Sequence, residues 1–193
     1  MRKLKTTLVL LAFAVSFSSI AQNFEGVVTM STTNAAMKED ASVSWFLKGD
    51  KSRMDIVSKA DGHTSEYAII SDDNGMHMVS EGHVTEISPA SLKVDLATQM
   101  LVSEKQGVSM NGYDCTQLVY TDGKNQTIYW VTNGLGIAFD DIPLVLRRNM
   151  PQIKTAGFPV RMEKRDAEGK VVMSQDVVSV TVSAVNDSKF NRN

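Results

Sequence analysis

From Phe24 onward, apolar and polar residues alternate with a period of two in short runs rich in β-branched side chains. Turn signals break these runs about every 8 to 12 residues, the pattern of an antiparallel sheet or barrel. The runs fall at 24–33, 43–47, 52–57, 67–71, 76–80, 84–87, 108–110, 113–121, 126–132, 158–164 and 170–185. Between them stand Lys48-Gly49-Asp50-Lys51, Asp72-Asp73-Asn74-Gly75, Glu81-Gly82, Asn111-Gly112, Asp122-Gly123 and Glu168-Gly169. Asn and Gly in such places tolerate the positive φ of tight hairpin turns.

Two segments leave the alternation. Ser88-Pro89 pairs a hydroxyl cap with a proline at the first helical position, and Leu92, Leu96 and Met100 follow at four-residue spacing, which predicts a helix over 89–105. Ile142, Leu146 and Met150 repeat that spacing and predict a second helix over 140–150, stopped by Pro151. A sheet covered on one face only alternates throughout, whereas Trp45 and Phe46, like Tyr129 and Trp130, send large side chains to opposite faces. The fold class expected is therefore mostly β: a curved antiparallel sheet or open half-barrel with one or two helices on its concave face.

The first 21 residues stand apart. Arg2, Lys3 and Lys5 precede an apolar run over 8–17 and then Ser19-Ile20-Ala21, the form of a secretory signal peptide. The run is too short for a membrane-spanning helix, which needs about 20 apolar residues. Cleavage after Ala21 leaves 22–193 as one domain, long enough to bury a core without disulfides or metal. A bacterial lipid anchor requires cysteine at the cleavage site, and the only cysteine is Cys115, so a soluble periplasmic or extracellular product is expected, not an integral membrane protein. Without its signal the chain has 22 acidic residues against fewer basic ones, which argues against nucleic acid as a partner. Strands this short, polar on both faces, argue against an outer-membrane barrel.

Four stretches resemble DUF4412, a family of exported bacterial proteins: Lys48-Gly49-Asp50-Lys51-Ser52-Arg53-Met54-Asp55, Asn111-Gly112-Tyr113-Asp114-Cys115-Thr116, Tyr129-Trp130-Val131-Thr132 and Gly157-Phe158-Pro159-Val160-Arg161-Met162-Glu163. That family is similar in architecture to the periplasmic lipoprotein carriers (LolA/LolB-like), whose open β half-barrel holds lipid chains under a lid of helices. The resemblance implies an apolar concavity. It assigns no residue of this chain a carrier role, and a shared fold does not fix function.

Candidate chemistry is sparse. There is no Gly-x-Ser-x-Gly elbow, no His-Glu-x-x-His and no phosphate-binding glycine loop, so no catalytic residue, cofactor or enzymatic activity is assigned. Met76-His77-Met78 has soft ligands suited to Cu(I), but in a strand His77 faces away from both thioethers, so no metal site is assigned. Asp72-Asp73-Asn74-Gly75 lacks the ligand spacing of a calcium loop. Arg147-Arg148 reads as a solvated helix end. Cys115 reads as a buried thiol packed like a small hydrophobe. Methionine can line adaptable apolar surfaces as well as fill cores, and Trp45, Met54, Met76, Met78, Leu96 and Met100 are the residues placed near a cavity. Two functions follow. One is a binding module for an apolar small molecule or lipid, such as an acyl chain. The other is a non-enzymatic interaction or structural protein of the envelope, with a protein partner and a filled core.

Overall fold

The computed structural model describes residues 24–72, 75–88, 99–137 and 157–192. They form eleven strands: β1 (Glu25–Asn34), β2 (Glu39–Lys48), β3 (Lys51–Ala60), β4 (His63–Asp72), β5 (Gly75–Ser80), β6 (His83–Glu86), β7 (Met100–Met110), β8 (Tyr113–Thr121), β9 (Gln126–Thr132), β10 (Phe158–Arg165) and β11 (Val171–Val182). All pair antiparallel in one sheet of order β6-β5-β4-β3-β2-β1-β11-β10-β9-β8-β7. The sheet is curved and open rather than closed into a barrel, as the alternation predicts. It consists of two meanders, β1–β6 and β7–β11, joined where β1 pairs with β11 from Gly26↔Val182 to Asn34↔Met173.

Every predicted run is a strand, and most hairpins close on two residues. Ala60 pairs with His63 around Asp61-Gly62, and Met110 with Tyr113 around Asn111-Gly112. Both residues of each turn have positive φ (50° and 80°; 52° and 83°), the twist that matches paired strands and that glycine adopts without strain.

The helix expected over 89–105 needs correction. Its described end is strand: β7 runs from Met100, eight residues ahead of the predicted run, and pairs with β8 from Met100↔Thr121 to Met110↔Tyr113. The spacing of Leu92, Leu96 and Met100 fits a helix locally, but the Asn111-Gly112 turn folds 100–110 back onto β8, and the ladder overrides local periodicity. Residues 89–98, and the whole helix expected over 140–150, lie outside the described residues. The one described helix is a 3-10 turn, Asp187–Phe190.

Parts of both faces of the sheet are buried, as Trp45/Phe46 and Tyr129/Trp130 anticipate. The larger core gathers Val28, Met30, Val43, Trp45 and Leu47 from β1 and β2 with Cys115, Ile128, Trp130, Phe158 and Val160 from the other meander. A smaller core on the alternate positions of β8 and β9 gathers Leu118, Tyr120, Tyr129 and Val131, with Met162 packed on it. Tyr120 and Tyr129 meet edge-on at 5.9 Å.

Candidate functional site

Register brings four of the six candidate lining residues together. Val28 pairs with Trp45, Trp45 with Met54, Met54 with Ile69, and Ile69 with Met78. Directly paired residues share a face, so these five form one apolar row across β1–β5. Met76, opposite Ser71, lies on the same face. Val28, Trp45 and Met76 are buried, while Met54, Ile69 and Met78 are half-buried, so the row opens toward β5. Leu96 lies outside the described residues. Met100 is in β7, at the opposite edge of the sheet, and 64% exposed.

At the inner end of the row Trp45 packs against Phe158, with ring centroids 6.3 Å apart and planes inclined at 44°. Its indole Nε1 is buried without an acceptor. An unmet buried donor costs about 1–3 kcal/mol, so it marks a place where an acceptor is favoured. His77 points to the other face, opposite Ile70, with a buried Nε2 that also has no partner. It therefore does not converge with the thioethers of Met76 and Met78. Among the described residues no three His, Cys, Asp or Glu side chains are grouped to hold a metal.

A second feature is a polar groove of about 530 Å³ where the β7–β8 turn meets the end of β9, lined by Tyr113, Asp114, Cys115, Thr132, Asn133 and Gly134 among others. Thr132 Oγ1 donates to the Asp114 carbonyl at 2.9 Å and accepts from the Gly134 N–H at 3.1 Å. Cys115 is 3% exposed and directs its thiol to the Tyr113 carbonyl at 3.6 Å. Burial pushes that thiol up, with the Asp114 carboxylate adding to the effect. Sequence reasoning anticipates the buried thiol but not the groove, because the turn and the end of β9 meet only through strand pairing.

A third feature is a charged cluster on β10 and β11. Arg161 donates two bonds to Asp176, at 2.7 and 2.8 Å, and two to Glu163 Oε1, at 3.0 and 2.8 Å. Arg165 holds the other Glu163 oxygen at 2.7 and 3.1 Å. Arg161 also lies 6.0 Å from the centre of the Trp130 ring, and Asn111 donates to Asp176 at 3.2 Å. Burial pushes the Glu163 carboxyl up, but hydrogen bonds from Arg165 and Arg161 outweigh it and hold the group below the usual glutamate range. Four charged groups pairing with one another in this way brace β10 against β11.

Residues 24–192 match a family described as a domain of unknown function, DUF4412. The chain belongs to that family. Comparison with curated proteins gives no match. Among solved structures, an uncharacterized conserved protein from Thermus thermophilus is similar over 88% of this chain and 85% of its own, at 11% identity and a TM-score of 0.56, which shows a shared fold. The MucA/MucB complex of Pseudomonas aeruginosa matches over 86% of this chain but only 55% of that one, at 12% identity and a TM-score of 0.48. A putative outer membrane lipoprotein-sorting protein domain from Vibrio parahaemolyticus matches over 86% and 88%, at 9% identity and a TM-score of 0.36.

Of the four stretches that resemble that family, two line the polar groove and a third adjoins it. Residues 111–116 form the β7–β8 turn, 129–132 end β9, and 157–163 begin at Gly157, where a Cβ would lie 2.6 Å from Asn133 Oδ1 and 2.7 Å from the Thr132 carbonyl. With φ at +132°, no other residue fits that contact without strain. The fourth stretch, 48–55, makes the β2–β3 turn and contributes Met54 to the apolar row.

Proposed function

We propose that this DUF4412 chain is an exported, non-enzymatic binding module that holds an acyl chain or similar apolar ligand along the row from Trp45 to Met78. One observation carries the reading: half-buried apolar side chains lead inward to a buried indole N–H with no acceptor. Binding would be burial without chemistry, at about 25 cal/mol per Å² of apolar surface removed from water. A carbonyl or carboxylate at the ligand's polar end would accept from Trp45 Nε1 and set its register. The basic-apolar-small pattern of the first 21 residues supports export and a periplasmic location.

Native mass spectrometry of the protein purified from an envelope fraction, with solvent extraction of what co-purifies, tests this. A stoichiometric acyl-bearing species is expected, together with displacement of a fluorescent fatty-acid probe. A clean unliganded mass with no probe binding sinks the reading. It would favour an interaction protein with a filled interior, which the complete packing of Val28, Leu47, Phe158 and Val160, all 0–2% exposed, supports as the second reading.

A further inference from the structure

Beyond β11 the chain does not extend the sheet. It crosses β1–β4 on the face opposite Trp45, the face that carries Phe46, Lys48, Lys51, Arg53 and Ile70. Val185 N–H donates to Glu25 Oε1 at 2.8 Å, and Lys48 Nζ donates to the Val185 carbonyl at 3.1 Å. Asp187 then pairs with Lys48 at 3.1 Å and with Lys51 at 3.6 Å. Lys189 sits 4.7 Å above the Phe46 ring, and its carbonyl accepts from Arg53 at 3.2 Å. Arg192 closes the path by donating to both oxygens of Asp72, at 2.9 and 3.0 Å. Only Val185 and Phe190 are buried apolar anchors in the segment.

The track beneath has a cationic end at Lys48 and Lys51, an apolar stretch that includes Phe46 and the fully buried Ile70, and an anionic end at Asp72. The segment answers each part in order with Asp187, Phe190 and Arg192. It lies across the strands without joining their ladder. Asp187 is 67% and Lys51 45% exposed, and ion pairs that open to water hold only weakly.

We infer that this track is a peptide-docking groove, occupied in cis by the chain's own residues 185–192. Its partner is a short segment of another protein that makes the same single 3-10 turn and presents an acid, an apolar residue three positions on and an arginine two beyond that. The tether gives the cis segment an effective concentration of about millimolar, so a partner displaces it only by binding better or when the strap is loosened. The site lies on the face opposite the apolar row, so it stands or falls independently of ligand binding there.

The test uses a fluorescent peptide of residues 184–193 and the full chain, read by anisotropy. Loosening the strap with Phe190→Ala and Arg192→Ala is expected to raise affinity for the peptide about tenfold or more, as cis competition is removed. Adding Asp72→Arg should abolish the gain, and a peptide carrying Arg192→Asp should restore it. Equal binding by the loosened and native chains overturns the proposal, as does indifference to Asp72→Arg. Unfolding of the loosened chain, by circular dichroism, also overturns it, because the strap would then be part of the core. Concentration-dependent dimers of the native chain that the peptide dissolves would replace the foreign partner with a second copy.

Discussion

Glu163 is buried and carries two guanidinium groups, so its removal has a calculable consequence. Glu163→Gln takes the carboxylate from Arg165 and leaves Arg161 with Asp176 alone. Breaking a fully buried pair costs about 3–5 kcal/mol; here the arginine side chains are 26% and 36% exposed, so about 2 kcal/mol is expected by urea unfolding. The pH dependence has a fixed sign. The folded carboxyl titrates below its ordinary value, so its contribution is present above that value and is lost as pH falls through the folded one. The stability gap between native chain and variant should therefore hold at neutral pH and close in acid; a gap that widens in acid refutes the assignment. Cys115 gives a second residue-scale prediction. A thiol 3% exposed and pushed up by burial should resist a thiol reagent at pH 8 until denaturant is added. Fast stoichiometric labelling of the folded protein would show that the polar groove reaches the sulfur.

Within the elements, Gly26 shows what alternation alone does not disclose. It sits inside β1 with ordinary φ, yet a Cβ there would collide with the Thr181 carbonyl of β11 and lie 2.8 Å from the Phe24 ring. Gly26→Ala should cost about 1–3 kcal/mol through overpacking, measured by thermal unfolding; a neutral result would mean the two strands can separate at no cost. The eleven strands were legible because each is a short alternating run bounded by turn residues, and the turns at 48–51, 81–82 and 111–112 carry their own chemistry. Residues 100–105 were not, because a four-residue spacing of Leu and Met reads as helix until β8 pairs with it. The row from Trp45 to Met78 was half legible. Residue type picked out its methionines and tryptophan, but only the register of three strand pairs joins them, and it leaves Met100 at the far edge. The run over 170–185 predicts strand three residues beyond the observed end of β11 at Val182, since nothing local separates a strand from a segment that crosses one. The edges of the sheet follow a different logic. β6 is four residues long, and β7 is interrupted by bulges at Leu101/Ser103 and Lys105/Val108, so both discourage edge-to-edge pairing despite the exposed Leu101 and Val102.

At the scale of the whole molecule, the seam between β1 and β11 decides whether one sheet means one cooperative unit. Among the described strands it is the only ladder joining the two meanders, and it pairs residues as far apart in sequence as Gly26 and Val182. Such contacts carry the largest loop-closure entropy and form after the local hairpins. The larger core argues that the halves are nevertheless coupled, since Trp45 from one meander rests on Phe158 from the other. Val28, fully buried and paired with both Trp45 and Val180, lies at that junction. Val28→Ala should cost about 2 kcal/mol through the lost methyl groups and the cavity left behind. In a single cooperative unit, hydrogen exchange would quicken by the same factor at the amides of Ile70 in β4 and Val131 in β9. If the halves open separately, protection at Val131 would survive. Val84→Ser on β6, where the side chain is 47% exposed, supplies the contrast and should change stability by less than about 0.5 kcal/mol. Equal loss in both meanders would make the sheet one cooperative unit across the seam. Loss confined to β1–β6 would make the protein two half-sheets that share a core.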